Sequence, residues 1–344
     1  MQLRTVERLD RIAGPLTGGP TPLLSDQDAR ELLRVEQLRT HLGQRTGYLL
    51  AVDGTSRPVG FAPAYPVAPP YGGATPPPLL FAGDATAADW ASGCYVGSTG
   101  AGPALVAIDE RATDPDRLLA DLLDHAVGTT AGEGGRFVAL PLLPEPHPAR
   151  LRRWLGGRLR TRSRSEEAVL ALPGTFDEYV AALPKGVRSD VRREERRFRD
   201  CGLRLEQVDL VTHVDQLAPL QHRVETKYGA TDSVEPYLTY LFSIALAMGD
   251  TGRCLAAYAG SRPVAFSVLW NRGGQWRVRC WGCDPSYTDG TFAYFNLVVY
   301  QPARLAIAEG ATELVLGGEA LPGKRRRGAR PRILTSFGVP LDRG

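Results

Sequence analysis

The chain has 344 residues, of which 43% are hydrophobic and 23% are charged, and its formal net charge is +3 at pH 7. This composition excludes a disordered chain, and the length predicts two domains. An odd set of five scattered cysteines argues against a disulfide framework, and no apolar run is long enough for a membrane helix. MQLRTVERLDRIAG at the N-terminus has no apolar signal core. We therefore expect a cytoplasmic protein without a membrane span.

The first half of the sequence alternates between helix and strand signals. Residues 1–40 are predicted to be helical, with Ser25 as the N-cap of a helix. TGYLLAV (46–52) and VGFAPAY (59–65) are predicted strands that a DGTSRP turn joins into a hairpin. The Pro-rich segment 66–80 is expected to be a loop. Further along, an amphipathic helix with leucines at 118, 119, 122 and 123 precedes a buried strand at 136–144.

The second half repeats this alternation and predicts an α/β protein with mixed sheets. Thr175 is the expected cap of a short helix, and a basic helix at 187–200 follows it. Two more helices precede three strands in a row, CLAAYAG, RPVAFSVLWN and QWRVRCWGC, with hairpin turns between them. A long helix at 292–310, expected to be interrupted at Pro302, leads to the strand TELVLGG. ILTSF (333–337) is predicted to be a buried helical segment.

Arginines recur along one face of the basic helix. Arg188, Arg192, Arg196 and Arg199 follow the i, i+4 and i+3 spacing that places side chains on one stripe. Aspartate and glutamate also occur in this helix, so one interpretation is a solvated helix with internal ion pairs. The alternative is a helix that faces phosphate groups of RNA or a nucleotide.

A second basic segment, KRRRGARPR (324–332), has six basic residues, and no acid occurs between Glu319 and Asp342. Positive charge without local compensation favours a phosphate-rich partner. The alternative is a flexible basic surface loop.

The residues after the third strand carry a more specific pattern. Its members are Gly282 and Asp284, then Tyr294, Leu297, Tyr300, Pro302, Ala306 and Gly310, then Glu313, Leu314, Leu316 and Gly317, and finally Lys324, Arg327 and Gly328. In this order they resemble the C-terminal domain of Fem-like peptidyltransferases and the related acetyltransferases of the GCN5-related N-acetyltransferase (GNAT) superfamily. The resemblance covers residues 165–335 well and the first half only by architecture.

The resemblance implies two tandem GNAT-like domains, residues 1–164 and 165–344. It implies an acyltransferase that moves an aminoacyl or acyl group from a phosphate-bearing carrier to an amine or hydroxyl of a small molecule or peptide. The pyrophosphate loop of common acetyltransferases, R/Q-x-x-G-x-G/A, is replaced here by DPSYTDGT, which favours aminoacyl-tRNA over acyl-CoA as the donor. No tightly bound cofactor and no metal are expected. The alternatives are an acyl-CoA-dependent N-acetyltransferase and a non-catalytic module that binds nucleic acid or a protein partner.

Three residues are the expected catalytic groups. Asp284 would accept or orient the proton of the amine, unless it only forms a turn before Pro285. Tyr294 would donate a proton to the leaving oxygen, unless it is a core aromatic. Lys324 would face the donor's phosphate or the charge that develops during transfer.

Donor phosphates are assigned to a larger arginine set: Arg188, Arg192, Arg193, Arg196, Arg325 and Arg327. The acceptor pocket is assigned to Glu225, Tyr228 and Trp281, although Glu225 and Tyr228 also suit the end of a helix. Cys280 and Cys283 form a CxxC pair without further ligands nearby, so core packing is favoured over a zinc site.

Overall fold

The computed structural model describes residues 1–18, 22–68, 81, 90–97, 104–145, 147–156, 161–227, 233–272 and 274–341. The chain divides into two compact units. The first comprises residues 1–165 together with 333–344, and the second comprises residues 166–332. The chain passes into the second unit within the strand Thr161–Ala171 and returns to the first within the strand Arg330–Pro340.

The first unit is built on a mixed sheet. Its elements are β1 (Gln2–Val6), a 3-10 turn (Leu9–Arg11), α1 (Ala13–Thr17), α2 (Asp26–His41), β2 (Tyr48–Val52), β3 (Pro58–Val67), β4 (Gly93–Val96), β5 (Ala107–Ile108), α3 (Pro115–Gly132), β6 (Phe137–Leu143) and α4 (His147–Leu155). The strand order is β1-β2-β3-β4-β6, with β5 paired to β3 and residues 335–340 paired to β6. Only the β4–β6 pair is parallel among these.

Helix α3 supplies one side of this unit's core. Asp114 caps the helix by accepting from the Arg117 N–H, and Pro115 fits the first helical position because its missing N–H would have no partner there. The four predicted leucines, at 118, 119, 122 and 123, are all buried and pack with the apolar residues of the sheet. The predicted amphipathic helix is therefore confirmed.

The N-terminal prediction holds only in part. Ser25 does cap α2, since its side chain accepts from the Asp28 N–H. Residues 2–6, predicted to be helical, instead form β1, which pairs antiparallel with β2. Pairing with a fully buried neighbouring strand overrides the weak local preference of this short polar segment.

The remaining elements belong to the second unit, except that the start of the strand Thr161–Ala171 and most of the strand Arg330–Pro340 lie in the first. They are β7 (Thr161–Ala171), α5 (Phe176–Ala182), α6 (Lys185–Asp200), β8 (Arg204–Val208), α7 (Leu210–Thr226), α8 (Glu235–Met248), β9 (Gly252–Ala259), β10 (Arg262–Arg272), β11 (Gln275–Cys283), α9 (Pro285–Thr288), α10 (Ala293–Phe295), a π-helix (Asn296–Tyr300), α11 (Gln301–Ala308), β12 (Glu313–Gly317), α12 (Leu321–Arg326) and β13 (Arg330–Pro340). The strand order is β7-β12-β11-β10-β9-β8, in which β11 and β12 are parallel and the other pairs are antiparallel. The predicted α/β class with mixed sheets is confirmed.

Two predictions about the last third of the chain are wrong. Helical structure continues through Pro302, which is the second residue of α11. The π-helix directly before it already departs from the regular i→i−4 hydrogen bonding that a proline would break. ILTSF lies in strand β13 rather than in a helix. A short apolar run does not distinguish a buried strand from a buried helix, and pairing with β6 decides the outcome.

Candidate active site in the second unit

The two parallel strands of the second unit separate towards their carboxyl ends. β11 and β12 pair only at Trp276 with Leu314 and at Arg277 with Val315, although β11 continues to Cys283 and β12 to Gly317. Strands that diverge leave backbone N–H and C=O groups without a sheet partner. Ligands of open α/β sheets bind outside the carboxyl ends of the strands, so this opening is a candidate ligand-binding site.

A β-bulge lies at the start of the opening. On β10, Val268 stands opposite Cys280 and Leu269 opposite Val278, which leaves Arg279 as the extra residue of β11. Bulges redirect side chains and are common beside active sites. The Arg279 guanidinium lies over the ring of Tyr240 from α8, 5.4 Å from its centroid.

Glu225 lies near this aromatic–arginine pair, in the last turn of α7. Burial raises the pKa of its carboxyl group above the ordinary value, and the negative charge of Glu319 adds to the effect. Burial also raises the pKa of Tyr240, whose electrostatic neighbours include Arg279, Glu225 and Glu319. We refer to these four side chains, which are linked by the Arg279–Tyr240 ring contact and by electrostatic interactions, as one polar cluster; they come from α7, α8, β11 and the segment after β12.

Lys324 brings a positive charge to the same cluster. Its side chain on α12 is buried, and Nζ donates to the carbonyl oxygen of Leu316 at 2.6 Å and to that of Gly317 at 3.5 Å. Burial lowers the pKa of Lys324 to about 8, although the nearby charge of Glu319 favours the protonated form. Glu319 thus interacts electrostatically with two residues of the predicted site, Glu225 and Lys324.

Asp284 is also at the carboxyl end of β11, but its carboxylate is fully engaged. It caps α9 by accepting from Ser286 N at 3.2 Å, and it accepts from Ser286 Oγ at 2.6 Å, from Arg262 at 3.2 Å and from Arg223. The Ser286 hydroxyl is the largest of the influences that lower the pKa of Asp284, with Arg223 adding to them. A carboxylate with a lowered pKa is a weak base, so this geometry suits a structural role better than proton transfer.

Gly282 explains how α7 comes so close to this strand. A Cβ atom at this position would lie 2.4 Å from the backbone nitrogen of Gln221 and 2.5 Å from the ring of Phe266. Only glycine permits that approach, and the approach sets the position of Glu225 one turn further along α7.

Tyr294 and Trp281 lie together beside β11. Their ring centroids are 5.2 Å apart in an edge-to-face arrangement, and both side chains are partly buried. Tyr294 also meets the ring of Phe295 at 5.1 Å. Just before them, Phe292 has a left-handed backbone with φ of 60°, a strained conformation that is typical of functional sites.

Residues 173–344, half of the chain, match the FemAB-like family, described as peptidoglycan biosynthesis/recognition. The chain belongs to this FemAB-like family. It is an acyltransferase with a GNAT-like fold, which confirms the resemblance drawn from the motif residues. Among curated proteins, none matches this sequence.

Solved structures support the tandem GNAT fold of this FemAB-like chain. FemX is 11% identical with a TM-score of 0.61 over 97% of both chains. A tandem GNAT protein from the clavulanic acid biosynthesis pathway is 12% identical with a TM-score of 0.53 over 100% of both chains. L-PGS from Bacillus licheniformis is 10% identical with a TM-score of 0.50 over 91% of this chain and 88% of that one. Within the described residues, no helix is both long and apolar enough to cross a membrane.

The basic segment of this FemAB-like chain is paired with acids from elsewhere. Arg327 is buried, and its guanidinium donates to both carboxylate oxygens of Glu194 at 2.7 and 2.6 Å and to the Tyr300 hydroxyl at 2.6 Å. Arg325 pairs with Glu166. Such bidentate and charge-assisted contacts leave Arg327 committed to the interior.

Helix α6 differs from that segment. Arg188 donates to the carbonyl oxygen of Ala181 at 3.0 Å, and Arg193 pairs with Asp190 at 2.8 Å. The exposed side chains of Arg192 and Arg196 form no ion pair or hydrogen bond with the described residues. Of the predicted phosphate-binding arginines on this helix, these two therefore remain available to a ligand.

Three members of the cluster were missed by sequence reasoning: Tyr240, Arg279 and Glu319. The bulge that places Arg279 depends on the pairing of β10 with β11, and no residue pattern in the sequence predicts it. Tyr228, predicted to line the acceptor pocket, lies outside the described residues. Cys280 and Cys283 are largely covered within β11, and burial raises the pKa of the Cys280 thiol to about 12.

Proposed function

We propose that this chain transfers an aminoacyl group from aminoacyl-tRNA to an amine or hydroxyl of a small molecule or peptide, in the cytoplasm. The observation that carries the proposal is the presence of Glu225, Glu319 and Lys324 in the polar cluster where β11 and β12 diverge. Acyl transfer from an activated ester needs a base for the attacking group and positive charge for the oxyanion. The cluster contains a candidate for each.

Glu225 is the proposed base. Because its pKa is raised, the Glu225 carboxylate is a stronger base than that of Asp284, whose pKa is lowered, and is better suited to accept a proton from the acceptor. Glu225 accepts the proton that the attacking amine or hydroxyl loses as the new amide or ester bond forms. The leaving 3′ or 2′ oxygen of the donor's terminal ribose must regain a proton, and Tyr294 beside β11 is the proposed source.

Lys324 is the proposed source of positive charge. An ammonium group has three N–H donors, and two acceptors engage Nζ, so one donor remains for an oxyanion. Because the side chain is buried, its charge acts in a medium of low dielectric and is worth more than it would be in water.

The donor preference rests on two features. The N-terminus of α9, which follows β11, is already capped by the carboxylate of Asp284, and a second anion such as a pyrophosphate would be repelled there. Arg192 and Arg196 on α6 offer unpaired charge to a polyanion instead. A tRNA backbone fits both features better than coenzyme A.

The test follows a labelled amino acid from tRNA into product. Purified protein is incubated with a mixed pool of charged tRNA and with a fraction of cellular small molecules and peptidoglycan precursors as acceptors. A parallel reaction contains labelled acetyl-CoA. The proposal predicts label transfer from charged tRNA that disappears after RNase treatment and that Glu225→Gln abolishes.

Transfer from acetyl-CoA, with none from tRNA, would identify an acyl-CoA-dependent acyltransferase and overturn the proposed donor. A matched control is Glu206→Gln, which removes a partly exposed carboxylate from β8, where Glu206 pairs with Arg204 and is not a member of the cluster. Equal loss in both variants would count against a specific role for Glu225.

A further inference from the structure

The first unit contains a cavity of about 730 Å³ that is separate from the cluster described above. It lies among the end of α2, the starts of β2 and β4, the end of β3 and the end of α3. Cavities of roughly 300–1,000 Å³ are the usual size for small-molecule ligands. Its apolar lining includes Leu42, Leu49 and Val67.

One charged side chain lines this cavity from inside the protein. Arg39 is only 9% exposed. Its Nε and Nη2 donate to the carbonyl oxygen of Arg45 at 3.2 and 2.9 Å, and Nη2 also donates to that of Pro66 at 3.0 Å. Nη1 has no acceptor among the described residues, and none of their carboxylates forms an ion pair with Arg39. A buried charge without a counter-charge is costly.

The two carboxylates of the cavity lining do not supply the missing negative charge. The guanidinium lies over the ring of Tyr65, 4.6 Å from its centroid. Glu133 lines the cavity but is held by Arg45 through two bonds of 3.2 Å, and Glu7 is exposed to solvent. Burial lowers the pKa of Arg39, as expected when a cation lacks a partner.

A second polar atom in the lining is also unsatisfied. The side-chain oxygen of Gln44 is buried and has no hydrogen-bond partner. A cavity that combines apolar side chains with one uncompensated cation and one unsatisfied amide oxygen matches a small acid that has an apolar body and a further polar group.

We propose that this cavity binds a small carboxylic acid, with its carboxylate on Nη1 of Arg39 and its apolar body against the leucine and valine side chains of the lining. Gln44 bonds the second polar group of the ligand. The site belongs to the first unit and does not depend on the donor or on the residues of the proposed transfer reaction.

Isothermal titration calorimetry tests this with three acids, octanoate, phenylacetate and N-acetyl-leucine, and with the amide of each. We expect at least one acid to bind, and roughly tenfold or more tighter than its amide, because a charge-assisted hydrogen bond is lost in the amide. Arg39→Gln should remove that preference. Arg117→Gln, which alters an exposed arginine of α3 outside the lining, should keep it.

Thr129→Trp keeps the test decisive if Arg39→Gln does not fold. Thr129 is a partly buried cavity residue that makes none of the hydrogen bonds of Arg39, and we expect a tryptophan there to fill much of the space. A folded Thr129→Trp protein should bind neither acid nor amide. The proposal is overturned if no acid binds at millimolar concentration, if acid and amide bind equally, or if Thr129→Trp binds as the parent does.

Discussion

Two stretches of the second unit are rich in arginine but differ in how the structure neutralises them. In the segment 324–332, Arg325, Arg326 and Arg327 pair with Glu166, Asp190 and Glu194, respectively. On helix α6, Arg192 and Arg196 are exposed and have no partner among the described residues. The segment is thus neutralised by distant acids, whereas the helix retains charge for a ligand.

Counting the charges near a basic segment in the sequence does not predict whether its arginines are neutralised in the fold. The acids that neutralise the segment lie more than 130 residues away in the chain, between 133 and 159 positions for Glu194, Asp190 and Glu166. On a helix, by contrast, the i, i+4 spacing itself determines which side chains share a face. The arginine stripe of the helix could therefore be predicted from the sequence, whereas the neutralisation of the segment by distant acids could not.

Among the basic residues, Lys324 gives the largest expected effect on activity, and it is the one member of the basic segment assigned to chemistry. Replacing it with methionine should lower kcat by roughly 10²–10³-fold, because the buried ammonium would no longer stabilise the oxyanion. Steady-state transfer from charged tRNA measures the effect, and circular dichroism checks the fold. Arg325→Gln is the matched control, and a similar loss in both variants would remove Lys324 from the site.

Arg327 should matter for stability rather than for donor binding. Arg327→Ala leaves Glu194 buried and unpaired, which costs about 3–5 kcal/mol of the free energy of unfolding. Urea denaturation measures this. A fully stable variant with weakened tRNA binding would contradict the assignment of Arg327 to the interior.

The exposed arginines of α6 should show the opposite behaviour. We expect Arg192→Gln combined with Arg196→Gln to weaken tRNA binding by about tenfold and to reduce its salt dependence by roughly one to two charges. The free energy of unfolding should change by less than about 0.5 kcal/mol. Fluorescence anisotropy over a salt series gives the result, with Arg204→Gln on β8 as the control. Unchanged affinity would exclude this face as the donor surface.

The smallest effect is expected at Arg326. It is exposed and pairs with Asp190 at the surface, so Arg326→Gln should destabilise the protein by at most about 1 kcal/mol. Thermal unfolding provides the value. A much larger loss would mean that the compensation of the segment depends on this pair as well as on Arg327.

Much of the fold was predictable because it depends on local signals. Thr175 and Ser25 cap helices as their patterns indicate, and the three strands β9, β10 and β11 follow one another with short turns. The bounds of β1 and β13 were not predictable, since pairing with neighbouring strands determines them. The motif residues of the last third gave the family before any contact was known.

Of the candidate site, the sequence indicated some of the residues but not how they are arranged. Glu225 and Lys324 were singled out, but their link through Glu319 depends on the glycine-rich turn after β12 and on the approach of α7 at Gly282. Asp284 was chosen as a base because of its place after a strand. Ser286, two residues away, lowers the pKa of Asp284 most, but the partners Arg223 and Arg262 lie 61 and 22 positions away, so their ion pairs with Asp284 could not be inferred from neighbours in the sequence.

The pH dependence of transfer from aminoacyl-tRNA tests the role of Glu225 most directly. In the parent protein, the single-turnover rate should rise with pH as Glu225 loses its proton, at a pKa above that of an ordinary glutamate, and should fall again as Lys324 deprotonates near pH 8. In Glu225→Gln the rising limb should be absent and the rate should be roughly 10²–10⁴-fold lower. A rising limb that persists in that variant, at an unchanged rate, would contradict the account.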